Sequence, residues 1–149
     1  MRPIWLLLGV LLGQPGLARA DITPITPPST KCEFWRGVTR VVTRHETSPI
    51  FYLELELDLQ SGVARITDHR AESADDRTKK IFGDDQHRMT NALYAICPTA
   101  EQLKARCAPG RECLSITVIR PAGSTTDRDP GTAGAAQRIL ASIFPELRL

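Results

Sequence analysis

Three histidines, His45, His69 and His87, are the side chains best suited to proton transfer at neutral pH, and each has a carboxylate close by in sequence: Glu46 beside His45 at a strand end, Asp68 beside His69, and Asp84 and Asp85 ahead of His87. A histidine pair with a lysine or carboxylate can run phosphodiester transfer by acid/base catalysis. One function class open to the chain is therefore a small, disulfide-stabilised secreted hydrolase, such as a nuclease, using His69 or His87. Asp68, His69, Asp84, Asp85 and His87 are also donors that suit a metal ion. They lie at two ends of a charge-rich segment, however, with no i, i+4 pair on a helix to fix their geometry, so no metal site is assigned. Nucleophilic and phosphate-binding motifs are missing: there is no G-x-S-x-G elbow, no P-loop and no dinucleotide fingerprint. Gly131-Thr-Ala-Gly134 opens a helix but follows a loop, so it reads as a plain helix start. No catalytic residue and no cofactor is assigned.

Sulfur chemistry points to stapling. Cys32, Cys97, Cys107 and Cys113 form an even set with no C-x-x-C pair, which argues against zinc and against dithiol redox chemistry. Four cysteines allow three connectivities. Pro109-Gly110 between Cys107 and Cys113 reverses the chain and favours a bond between those two, leaving Cys32 for Cys97. The longer bridge closes a loop of about 65 residues and on the chain-entropy model contributes about 4 kcal/mol.

An oxidising compartment is also what residues 1–20 announce. Arg2, an apolar run over residues 4–12 too short to span a bilayer, Pro15-Gly16 and Ala18-Arg19-Ala20 have the order of a secretory leader and cleavage site. The mature chain is expected to begin at Asp21, in the periplasm or outside the cell. No later apolar run has the length of a membrane helix. Arg2 and Arg19 leave with the leader, so 17 basic residues face 17 acidic ones and the formal net charge is zero. Without a basic excess or a basic run, nucleic acid is a poor candidate partner.

These residues need elements to hold them. Residues 21–31, DITPITPPSTK, read as a proline-rich linker and residues 32–149 as a single domain. Leu53, Leu55, Leu57 and Leu59 alternate with Glu54, Glu56 and Asp58, the period-two pattern of a strand with one buried face. A turn at Ser61-Gly62 pairs that strand with the next, setting Asp58 opposite Arg65 and Leu57 opposite Ile66. A preceding strand over residues 34–44, turning through residues 46–48, sets Val41 opposite Leu53, Arg40 opposite Glu54, Arg36 opposite Asp58 and Trp35 over Leu59. The carboxylates then belong to a solvated charge ladder.

Residues 68–85 are dense in charge and read as a long mobile loop. A helix follows, with Met89, Ala92, Leu93 and Ile96 on one face and Asp84 or Asp85 as cap. Thr99-Ala-Glu-Gln102 is a capping-box pattern for a short second helix. Residues 113–120, CLSITVIR, read as a strand, and Thr132 as the cap of a last helix with Ala136, Ile139, Leu140, Ile143 and Phe144 inward. The expected fold is α+β: an antiparallel sheet of about four strands, a three-stranded meander plus a later strand, packed on one face by two to three helices and closed by two disulfides.

Polar residues are thus absorbed by faces, caps and loops, with none left over for a catalytic constellation. The reading that follows is a soluble periplasmic or secreted protein that binds another macromolecule of the cell envelope, as adaptor, accessory subunit or inhibitor. Its expected docking residues are Arg70, Arg77, Lys79, Lys80, Ile81 and Phe82 of the charged segment, which combine steering charge with an apolar anchor.

Overall fold

The computed structural model describes residues 23–72 and 74–149. The leader expected at residues 1–20 lies outside them. The elements are β1 (Arg40–Ser48), β2 (Phe51–Asp58), β3 (Val63–Asp68), β4 (Asp75–Lys80), α1 (Gly83–Tyr94), β5 (Cys113–Arg120), β6 (Gly123–Asp127) and α2 (Pro130–Ala141). Six strands make one antiparallel sheet in the order β4-β3-β2-β1-β5-β6. The first four form a meander. The chain then crosses through α1 to lay β5 on the free side of β1, adds β6 as a hairpin, and returns as α2. No helix among the described residues is long and apolar enough to cross a membrane.

Alternation builds the core as expected. Leu53, Leu55 and Leu57 of β2 are buried with Val41 of β1, Ala64 and Ile66 of β3, and Ile116 and Val118 of β5, beneath Leu93 of α1 and Ala133, Ala136 and Leu140 of α2. One sheet face is therefore apolar and roofed by helices. The other carries Arg40, Arg44, Glu54 and Glu56, joined by ion pairs Arg40–Glu56 at 3.1 Å and Arg44–Glu54 at 3.3 Å.

Both hairpins keep their expected faces but not their expected registers. Val41 stands opposite Leu57 and Arg40 opposite Asp58, a slide of four residues, while Leu55 stands opposite Ile66 and Glu56 opposite Arg65, a slide of two. An even slide leaves every side chain on its own face, so alternation alone cannot detect it. Turns decide instead. Asp58 accepts from the backbone N–H groups of Gln60 at 2.9 Å and Ser61 at 2.7 Å, which centres the β2–β3 turn one residue earlier in the chain. The strand expected from residue 34 starts only at Arg40, because Glu33–Trp35 form a 3-10 turn. Trp35 does not lie along a strand but is buried between Phe34 and Tyr94, its indole N–H donating to the Ile96 carbonyl. Arg36 consequently pairs with Glu33 rather than Asp58.

Cysteine pairing follows the expected pattern, with Cys32–Cys97 and Cys107–Cys113 at Cα separations of 5.8 and 5.5 Å. The first ties the turn that buries Trp35 to the segment after α1. Residues 23–31 form neither helix nor strand and lie against α1: Thr23 N–H donates to Asp84, Thr26 N–H to Asn91 at 2.6 Å, and the Asn91 amide to the Pro24 carbonyl.

The sheet has six strands, not about four. Residues 68–85, expected as one long loop, contain β4, and the polar segment after Pro121 contains β6. β4 carries the sequence DDRTKK, so pairing and side-chain stems hold it rather than apolar burial. Arg77, opposite buried Ile66, lies over the Phe144 ring and pairs with Glu146, and Lys79 Nζ donates to the Ile143 carbonyl at 2.9 Å. Long cationic chains can cover apolar surface while their heads find polar partners, which makes such a strand read as a loop.

Helix caps also differ from expectation. α1 starts after Phe82 without a side-chain cap, and Asp84 and Asp85 sit in its first turn, where they favour the positive end of the helix dipole. Asp129, not Thr132, caps α2 by accepting from Thr132 N–H at 3.0 Å. The Thr132 hydroxyl turns instead to the fully buried Asp127 carboxylate, which also accepts from Asp129 N–H. The Thr99–Gln102 box forms as reciprocal bonds of 2.8 and 3.2 Å but opens only a 3-10 turn over Gln102–Lys104.

Candidate functional site

The junction where β4 ends and α1 begins is fixed by Gly62. Its φ is +70°, and an added Cβ would stand 2.5 Å from the Ile81 carbonyl, so only glycine lets the two segments meet. Ile81 N–H donates to the Gly62 carbonyl at 3.0 Å. The Gln86 side-chain amide bridges to the Leu59 carbonyl at 3.0 Å, pinning the first turn of α1 to the β2–β3 turn. This anchoring buries Ile81, at 7 % exposure, and forces the adjacent Phe82 outward, at 66 %.

Beside Phe82 opens a groove of about 580 Å³ between α1 and α2. Its apolar lining is Ile81, Met89 and Ala92 on one side and Ile139 and Ile143 on the other. Lys79, Lys80, Asp85 and Arg88 rim it, with Lys80 Nζ 5.1 Å from the centre of the Phe82 ring. Asp85 is already paired with Arg88, which leaves the lysines to set the sign of the rim. The volume lies within the usual range for pockets that hold compact ligands or a few side chains.

Of the six docking residues expected from sequence, the fold brings Lys79, Lys80, Ile81 and Phe82 to this groove. Ile81 serves there as part of the wall, buried in the core. Arg77 is turned under the sheet toward Phe144 and Glu146. Arg70 lies at the far end of the β3–β4 hairpin, bonded to both oxygens of Asp68 at 2.9 and 2.7 Å and to the Arg148 carbonyl. That guanidinium holds the Asp68 carboxyl below its ordinary range. Sequence reasoning placed Met89, Ala92, Ile139 and Ile143 on inward helix faces and gave none of them a part in a site. No signal separates them, because a residue lining a groove and one filling a core have the same periodicity.

The histidines do not gather. His45 pairs with Glu112. His69 stacks on Tyr52, centroids 4.9 Å apart and planes 13° from parallel, with Asp76 at 3.9 Å. His87 lies on α1, near the β2–β3 turn, with its Nδ1 buried and without a hydrogen-bond partner among the described residues, whereas His69 follows the opposite end of β3. Asp68 belongs to Arg70, Asp84 to Thr23 and Asp85 to Arg88, so the five donors that sequence offered for a metal are dispersed. Among the described residues no three His, Cys, Asp or Glu side chains come together as a metal set.

Compared with protein-family models, with curated proteins and with solved structures, the chain matches none. The arrangement defines a class by architecture alone: an α+β sheet roofed on one face by two helices, with an apolar, cation-rimmed groove where the roof parts.

Proposed function

We propose that the protein is a binding module of the cell envelope, an adaptor, accessory subunit or inhibitor, that docks a protein partner in the groove beside Phe82. The observation that carries this reading is a phenylalanine two-thirds exposed at the lip of an apolar groove. Unlike exposed Ile50 or Leu149, which do not line the groove, Phe82 continues an apolar groove with a polar rim, the kind of patch that marks interaction sites. Aromatic anchors are among the residues that dominate protein–protein affinity. The charge ladder on the open sheet face makes a poorer docking surface, since its cations and carboxylates already satisfy one another. Two disulfides fit an oxidising compartment.

The test is quantitative capture from a periplasmic extract, comparing the same bands across variants. Phe82→Ser should reduce capture severely with an unchanged melting temperature, and Glu54→Gln with Glu56→Gln should leave it intact. Ile81 is unsuited to this test because it is buried and its loss would weaken the fold. Equal capture by the Phe82→Ser variant would refute the reading. The competing hydrolase reading uses His69 or His87 with an acidic neighbour, Asp76 standing 3.9 Å from His69, and it requires a substrate turned over by the native chain and lost on His69→Ala or His87→Ala.

A further inference from the structure

We infer that the groove is shaped for an acidic amphipathic helix of the partner. This rests on the docking reading above and adds the chemistry of what docks. One wall is helical, with Met89 and Ala92 three residues apart on α1; the other joins Ile139 in the last turn of α2 to Ile143 in the turn that follows it. The α1 pair makes a ridge and Ile139 with Ile143 a second apolar row, and a groove between two such rows accepts the i, i+3, i+4, i+7 face of an incoming helix.

The rim supplies the sign. Lys79, Lys80 and Arg88 face one carboxylate, Asp85, which Arg88 already neutralises. Lys79 donates one N–H to the Ile143 carbonyl and lies in the field of the Glu146 carboxylate, with two N–H groups left for an incoming acceptor. Among the described residues Lys80 makes no ion pair, and it lies over the Phe82 ring. A mature chain of zero formal charge therefore presents a local cationic rim around an apolar floor. An acidic flank complements it, while a basic flank would set like charges together in a partly desolvated site.

The experiment uses two labelled peptides of about 15 residues, long enough to form a helix on binding. They share one leucine face at i, i+3, i+4 and i+7 and differ only in flanks of Glu or Lys. Fluorescence anisotropy with the disulfide-bonded mature chain should give at least about tenfold tighter binding for the Glu peptide, a gap that narrows as salt rises to about 0.5 M. The double variant Lys80→Gln, Arg88→Gln touches only exposed side chains and should shrink the gap to about threefold or less. Phe82→Ser should weaken both peptides. Equal binding of the two peptides, still dependent on Phe82, would overturn the acidic class and leave the docking reading standing. Failure of both peptides while partner capture still depends on Phe82 would overturn the helix. Phe82-dependent dimerisation in sedimentation would assign the groove to a second copy, and dodecanoate outcompeting the Glu peptide would assign it to a small amphiphile; either result overturns the inference. Loss of peptide binding and of Phe82-dependent capture together would bring down both proposals.

Discussion

β2 and β4 lie in the same sheet, two strands apart, and are held by opposite means. β2 buries three leucines completely and is paired on both sides. β4 contributes no apolar side chain, is paired on one side only, and is fastened by Arg77 and Lys79 reaching to the chain after α2. A charged edge strand blocks edge-to-edge aggregation, since lysines and carboxylates make poor templates for another strand. The same choice has a second effect. With no apolar residue in β4 to draw the helices down over it, the roof parts there, and the groove beside Phe82 is left open. Core burial thereby falls to β2 and the open groove to the end of β4.

The sharpest way to break that contrast is to weaken each strand at an equivalent place. Leu55→Ala, in the middle of β2, removes a side chain that is 1 % exposed and should cost about 3 kcal/mol in urea unfolding. Thr78→Ala, in the middle of exposed β4, should change stability by about 0.5 kcal/mol or less. A comparable loss in both would mean that β4 is part of the cooperative core.

The same contrast explains what the sequence discloses. β2 and β5 announce themselves, because Leu53 to Leu59 and Leu114 to Val118 alternate against one buried face. β4 does not, because its inward positions hold Asp75, Arg77 and Lys79, and only the fold shows that Arg77 lies over Phe144 and that Lys79 reaches the chain just past α2. Registers stay hidden for a different reason: slides of two and four residues preserve every face, and the deciding groups are Asp58, which folds the turn, and Trp35, which is pulled into the core beside Tyr94. Cysteine pairing was legible from Pro109-Gly110 alone. Of the site, Lys79, Lys80 and Phe82 were visible as charge beside an apolar residue, whereas Ile139 and Ile143 come from about sixty residues further along the chain and no local pattern links the two.

Gly62→Ala strikes the joint between the two regimes. A side chain there meets the Ile81 carbonyl and must also adopt a left-handed conformation, so the variant should lose about 2 kcal/mol. Exchange protection of the Ile81 N–H should fall with it, and partner capture should weaken because the lip of the groove is displaced. Full stability in this variant would show that the junction can relax freely.

A smaller effect separates turn from edge by pH. The Ser61 backbone N–H, and then that of Gln60, hold the Asp58 carboxyl below its ordinary range against the opposing effect of partial burial. A depressed carboxyl stabilises the fold fully above its unfolded pKa of about 3.9, and that contribution disappears as pH falls through the lower folded value. Urea midpoints measured from neutral pH down to strong acid should therefore fall more steeply for the native chain than for Asp58→Asn. Parallel curves would remove Asp58 from the acid response.

The central claim, that the protein docks its partner where the helical roof parts rather than on the charged open face, is tested most directly by hydrogen exchange of the captured complex against the free chain. New protection confined to residues 79–92 and 139–143 is the predicted result. New protection along residues 40–46 and 52–58, with the groove unchanged, would contradict it.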